Sequence, residues 1–245
     1  MRARALAPLA ALALAAAAAG CRAASSPPAE TPAHPTLALM TSLPLYWGEA
    51  DDMSGLLSGQ AEPGWARETL ERRFTLEPVD TLEPERLAGV AFLLLAQPRP
   101  LAPAENAALD AWVRGGGRLL LLADPMLTAH SRFPVGDRRR PQDVALLSPI
   151  LRHWGLELTL DDDEHPGVQV RDVGGMVVPV AVAGRFRLLA GGKCVLSGEG
   201  VLATCPIGEG RAVIWADAAV LDADLDGEAA RRAVALDFLL DRAFN

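Results

Sequence analysis

Two near-copies of one short pattern stand out in this chain. Residues 115–124 read Gly-Gly-Gly-Arg-Leu-Leu-Leu-Leu-Ala-Asp, and residues 208–217 read Gly-Glu-Gly-Arg-Ala-Val-Ile-Trp-Ala-Asp. Each is a glycine-built turn, an Arg, an unbroken apolar run and a terminal Asp. A short continuous apolar run bounded by turn signals is a strand with both faces buried, the kind found in parallel sheets covered by helices. Asp124 and Asp217 then stand where their strands leave the sheet, on the edge where open α/β sheets collect ligands. The pattern fixes a fold class and a place on the fold, without fixing a reaction.

The flanking segments supply the other layers. Residues 36–42 predict a first strand, 75–79 a second and 90–96 a buried third, while Ala66, Leu70 and Phe74 recur as the apolar face of a short helix. Pro103 opens a helix with Leu109, Trp112 and Val113 on one side, and Gly115 is expected to end it at the left-handed cap position. A long connection rich in Pro, Gly and Arg follows the strand 118–123. Asp143 is then expected to cap a helix carrying Val144, Leu147, Leu151 and Trp154, stopped by Gly155 and followed by a strand at 156–160. From 168 to 205 the helical period disappears, and short β-type runs with Gly pairs predict a late antiparallel β-rich insertion. A last parallel strand at 211–216 and a helix from Asp226, with Ala229, Ala233, Leu236, Leu240 and Phe244 on one face, close the chain. The expected fold class is α/β, an open, mostly parallel sheet flanked by helices, forming one domain over 36–245.

The N-terminus reads as a processing signal. Arg2 and Arg4 precede an apolar, Ala-rich stretch at 6–19 that is short for a membrane span, and Ala18, Ala19 and Gly20 lead into Cys21. Small residues before a Cys resemble the bacterial lipobox. That resemblance implies cleavage after residue 20, a lipid on Cys21 and a place on the periplasmic side of the envelope, with Arg22 favouring the outer membrane. Residues 21–35, poor in apolar periodicity and rich in Ala, Ser, Pro and Thr, predict a flexible tether. The net charge of −8 becomes −10 once Arg2 and Arg4 leave with the signal. An acidic domain gains nothing from counterion release on a polyphosphate, so nucleic acid is not an expected partner, and the run Arg138-Arg139-Arg140 reads as a solvated loop. Gly198-Glu199-Gly200 between β-type residues predicts a hairpin that brings Cys194 near Cys205. In an oxidising compartment the pair is expected to be a disulfide, stabilising by about 2–3 kcal/mol. A metal or redox pair is the alternative, though no residues with ligand spacing lie beside either Cys.

Three groups of residues together carry a resemblance. They are Asp110-Ala111-Trp112-Val113-Arg114-Gly115-Gly116-Gly117-Arg118 with Asp124-Pro125 after the strand, Leu151-Arg152-His153-Trp154-Gly155-Leu156-Glu157-Leu158, and the late Gly-Glu-Gly-Arg strand closing on Asp217-Ala218-Ala219-Val220-Leu221. They resemble the extracytoplasmic domain of the gliding-motility-type (GldG-like) auxiliary proteins of uncharacterised ABC transport systems, a domain similar to class I glutamine amidotransferases. The resemblance covers about 36–242. It implies a class I glutamine amidotransferase-like fold and, as partner, a membrane transporter or envelope protein complex. Active amidotransferases carry a nucleophilic Cys on a Gly-flanked turn. Here Asp124-Pro125 follows the matching strand, and no Gly-x-Cys-x-Gly or Gly-x-Ser-x-Gly occurs in the sequence. Without a nucleophile there is no acyl-enzyme chemistry to support.

The expectation is therefore a non-catalytic exported lipoprotein domain that binds a ligand or partner at the C-terminal edge of its sheet, with no cofactor and no metal. The residues expected to line that site are Ser42, Tyr46, Trp47, Asp124, His130 and Asp217. The alternative for the two carboxylates is capping, with Asp124 on the following turn and Asp217 on a short helix at Ala218. Two further readings stay open: a metal- or carboxylate-dependent hydrolase using Asp124, His130 and Asp217, which requires those side chains to converge, and a pure scaffold subunit. The acidic run 161–164 lacks the alternating oxygen ligands and central Gly of a calcium loop and reads as a charged turn.

Overall fold

The computed structural model describes residues 34–48, 64–160, 165–222 and 229–245. The expected signal, the lipidated Cys21, most of the tether, the acidic turn 161–164 and the start of the closing helix at Asp226 lie outside the described residues. The chain runs β1 (Thr36–Thr41), α1 (Trp65–Glu71), β2 (Thr75–Pro78), α2 (Pro84–Leu87), β3 (Phe92–Ala96), α3 (Pro103–Arg114), β4 (Arg118–Leu122), α4 (Ser148–His153), β5 (Leu156–Thr159), β6 (Val168–Val173), β7 (Met176–Ala181), β8 (Arg185–Leu188), β9 (Val195–Ser197), β10 (Leu202–Ile207), β11 (Gly210–Trp215) and α5 (Ala229–Phe244). Seven strands form the main sheet in the order β2-β1-β3-β4-β11-β10-β9. The first five are parallel, and β10 and β9 extend the sheet antiparallel. The apolar runs of β1, β3, β4 and β11 are almost wholly buried, as strands covered on both faces must be. The order reverses between β1 and β3: the chain places β2 on one side of β1 and then crosses to the other.

Helix α3 begins at Ala102, which has no side-chain oxygen to cap it, and Glu105 does the work from within the first turn. Its Oε2 accepts the Ala102 N–H at 2.8 Å, its Oε1 accepts the Leu82 N–H at 3.1 Å, and Arg99 pairs with it at 2.7 Å. The hydrogen-bonded Arg99 holds this carboxyl down at about 2. The helix ends one residue later than expected: Gly115 is at φ −79°, and Gly116 takes the left-handed conformation at φ +107°. Helix α4 also starts later. Asp143 caps nothing; its carboxylate pairs with Arg140 at 3.0 Å, and Val144 is exposed. A helix from Asp143 would put Pro149 in its interior, at the cost of a hydrogen bond and a ring clash, so helix formation waits until Pro149 can sit in the first turn. On α5 the buried stripe is Arg232, Ala235, Leu236, Leu239, Leu240, Ala243 and Phe244, while Ala229 is exposed.

The late stretch is β-rich and antiparallel, as expected, and its strands divide among three sheets. β6 and β7 make a hairpin across Gly174-Gly175, both at positive φ, and β8 pairs back to β5. β9 and β10 form the expected hairpin, and it belongs to the main sheet. Thr204 faces Val195 in that hairpin, which sets Cys205 opposite Cys194, and the two are joined as a disulfide.

The two near-copies lie side by side. β4 and β11 pair in parallel with Arg211 beside Arg118 and Trp215 beside Leu122. Both arginines reach the last turn of α5: Arg118 donates to the Phe244 carbonyl, and Arg211 donates through Nε to Ala243 at 3.0 Å and through Nη2 to Asn245. Carbonyls at a helix C-terminus lack intrahelical partners and carry the negative end of the dipole, so cations are favoured there. The glycines before each Arg permit close packing. A Cβ at Gly210 would run into the carbonyls of Val113 and Gly117, and one at Gly117 into the Trp112 ring. Replacing Arg211 with Ala leaves the part-buried Ala243 carbonyl without this donor and removes the tie to the exposed Asn245, and is expected to destabilise the domain by about 1–2 kcal/mol. That lowers the melting temperature by roughly 2–8 °C in circular dichroism, with Arg211→Lys recovering only part because an ammonium cannot fork. An unchanged melting temperature in Arg211→Ala would show that the clamp contributes nothing.

Candidate functional site

Two residues beyond the Leu122–Trp215 pair, Asp124 and Asp217 emerge level with each other at the C-terminal edge, both fully buried. Asp124 accepts the Met126 N–H at 2.8 Å and the Ala218 N–H at 3.0 Å. Asp217 accepts the Ala181 N–H at 2.7 Å and the Ala219 N–H at 2.5 Å, the latter opening the 3₁₀ turn Ala219–Leu221. Each carboxylate therefore caps the segment that follows it and also reaches a neighbouring strand exit. Burial raises both acids: Asp124 to about 6, and Asp217 well above the usual range, where burial and the charge of Asp124 act together.

The exits of β1, β3 and β4 are tied together by a residue outside every sequence expectation. Gln97, at φ +46°, donates its N–H to the Leu122 carbonyl at 2.9 Å. Its side-chain amide donates to the carbonyls of Asp124 (3.0 Å) and Gln142 (2.8 Å) and accepts the Asp124 N–H at 2.8 Å. Ser42 belongs to the same network: its hydroxyl donates to the Gln97 carbonyl at 2.5 Å and accepts the Gln142 N–H at 3.0 Å. The only sequence signal was an amide directly after a buried strand and before Pro98.

Beside this closed edge lies a mainly apolar cleft of about 490 Å³. Its walls come from the exit of β1 (Leu43, Leu45), the start of α1 (Trp65, Arg67), the connection after β4 (His130, Arg132) and the turn after β11 (Leu221, Asp222). Tyr46 and Trp47 meet edge to face at 4.8 Å, with Trp47 exposed at 65%. The Arg67 guanidinium lies 4.4 Å from the Tyr46 ring centroid, donates to the Tyr46 carbonyl at 2.8 Å and pairs with Glu71 at 2.7 Å. His130 is exposed on the cleft wall, whereas neither Asp124 nor Asp217 lines it. His130 lines the cleft while both carboxylates are buried behind it and occupied by backbone N–H groups, so the three do not share the cleft wall that a hydrolytic set would use. Among the described residues no cluster of three or more His, Cys, Asp or Glu is placed to hold a metal ion.

A carboxyl whose pKa is raised on folding stabilises fully below its unfolded value near 4 and loses that contribution as pH rises through its folded value. The melting temperature is therefore expected to fall by roughly 5 °C between pH 5 and pH 7.5, a window that Glu105, depressed to about 2, does not touch. Asp217→Asn removes one charge of the pair and is expected to flatten that slope while lowering stability overall, since an amide nitrogen then opposes a backbone N–H. A wild-type melting temperature that rises over this window would contradict the raised pair.

The fold has solved counterparts. The N-terminal domain of mmIFT52 is 13% identical, with a TM-score of 0.51 over 83% of this chain and 96% of that one. The exo-β-1,4-mannosidase Op5Man5 from Opitutaceae bacterium strain TAV5 is 14% identical, with a TM-score of 0.52 over 86% of this chain but only 36% of the enzyme. At these identities the likeness shows the fold alone. No curated protein sequence matches the chain. No helix among the described residues is long and apolar enough to cross a membrane. Residues 34–174, more than half of the chain, match the family described as "ABC-type uncharacterized transport system", a span running from β1 through the β6 strand and taking in Gln97, Asp124 and the long connection. The chain belongs to this family of ABC-type transport-system auxiliary domains.

Proposed function

We propose that this protein is a non-catalytic auxiliary subunit of an ABC-type transport system, binding a ligand or protein partner through the cleft at the C-terminal edge of its sheet. The observation that carries this reading is the division of labour at that edge. The polar groups there are occupied by one another and by backbone, while an open apolar cleft stands beside them. Family membership supplies the transport link. The missing nucleophile elbow after β4, where Asp124-Pro125 stands, argues against acyl transfer. We place the domain on the periplasmic side of the envelope, held by a lipid on Cys21 through the tether 21–35, with the outer membrane favoured.

Cys21→Ser is expected to move the protein from the membrane fraction to the soluble fraction of lysed cells, and its retention in the membrane would remove the lipid anchor from this account. For the partner, a photo-crosslinking amino acid at position 130, on the cleft, is compared in intact cells with one at the exposed Glu209 on the opposite edge. The expected outcome is an ABC permease or another envelope protein recovered from position 130 and not from 209. Equal recovery at both positions, or none, would overturn the cleft as the docking site.

A further inference from the structure

We infer that the cleft takes an organic carboxylate with an apolar body, the anionic group held by Arg67 and His130 and the body lying along Leu43, Leu45, Trp65 and Leu221; this rests on the reading of the cleft as the binding site. The volume of about 490 Å³ falls in the range of small-molecule sites, and an apolar lining with few polar groups is their usual chemistry. Those few polar groups are mostly of one kind. Among the described residues, the ionisable side chains on the walls are Arg67, His130 and Arg132, with one acid, Asp222.

Arg67 is the built part of the site. Its Nε is held by Glu71 at 2.7 Å, its Nη1 by the Tyr46 carbonyl at 2.8 Å, and its plane by the Tyr46 ring. Nη2 has no partner among the described residues, so a pre-oriented pair of N–H donors is left over. The His130 ring likewise has no hydrogen-bond partner among the described residues, and it is exposed on the same cleft. A ligand that fills the cleft strips water from these donors. A purely apolar ligand would leave them desolvated and unpaired, whereas a carboxylate forms short charge-assisted bonds with a guanidinium already fixed in place. A polyanion is disfavoured by the apolar walls and by Asp222.

The test is isothermal titration calorimetry of the purified protein with octanoate and with 1-octanol, two ligands of one chain length that differ in charge. Octanoate is expected to bind at least roughly tenfold more tightly. Arg67→Gln should bring the two ligands to within about twofold, and His130→Gln, on an exposed loop, should weaken octanoate alone by roughly threefold with an unchanged melting temperature. Equal affinity for both ligands in the wild type overturns the carboxylate while leaving the cleft a binding site. No binding of either, or octanoate affinity unchanged in both variants, also overturns it. Crosslinking to a permease from position 130 without octanoate binding would leave the transporter reading standing and this inference alone refuted.

Discussion

The pairing of β4 with β11 is the constraint on which the rest of the molecule leans. Its register sets Arg118 beside Arg211 at one end and brings Asp124 and Asp217 out together at the other. Like charges on adjacent strands repel, and burial makes the carboxylates costlier still. Each end therefore needs a partner of opposite polarity. The arginines find it in the carbonyls that close α5, and the carboxylates find it in four backbone N–H groups from three segments. The final helix, the β7 exit and the turn after β11 are thus positioned by one strand pair, with the electrostatic demand of each end acting as the template.

That arrangement decides where a ligand can go. In open α/β sheets the crevice at the strand-order reversal is the usual binding place. Here the reversal lies between β1 and β3, and the strand exits beside it are joined by Gln97, whose amide nitrogen and oxygen are matched by the Asp124 and Gln142 backbone, with Ser42 completing the ring. The accessible space lies beside this network, in the cleft at the β1 exit and the start of α1. Ser42, Asp124 and Asp217 share the edge with this space while belonging to its support, and His130 belongs to its lining. Tyr46 contributes indirectly, by orienting Arg67.

Much of this was legible in the sequence, and the parts that were not share a physical cause. β1, β3, β4 and β11 followed from apolar runs, because burial on both faces leaves a signal that needs no knowledge of neighbours. Gly155 at φ +79° ended its helix as read, and the Cys194–Cys205 hairpin followed from local turn chemistry. The helix expected at Asp143 failed because capping preference is weak evidence beside the hard steric limit set by Pro149. How the strands of 168–205 join the rest of the fold was not legible, because strand pairing is a long-range choice: β8 joins β5, which precedes the segment, and the local β9–β10 hairpin is carried into the main sheet by β11, which follows it. The cleft as a whole was not legible, since its walls come from four separate segments, although His130 was expected at this edge. An Asp after a buried strand looks the same whether it caps a turn or meets a substrate, and only the N–H groups around Asp124 and Asp217 separate the two.

The capping carboxylates and the cleft are nevertheless mechanically one object. Ala218, whose N–H is held by Asp124, and the turn Ala219–Leu221, opened by Asp217, carry the Leu221 and Asp222 wall of the cleft. Trp65 on the opposite wall donates its indole N–H to the Asp222 carbonyl at 3.3 Å, so the two walls are tied through that same turn. Removing either carboxylate would release the turn and alter the cleft without removing any group that touches a ligand. Loss of binding or of transport in an Asp124 or Asp217 variant would therefore look like the loss of a functional residue. What separates the two is the order of events. A support residue loses function in proportion to the loosening of the turn, whereas an exposed contact residue such as His130 loses affinity in a molecule whose stability is intact.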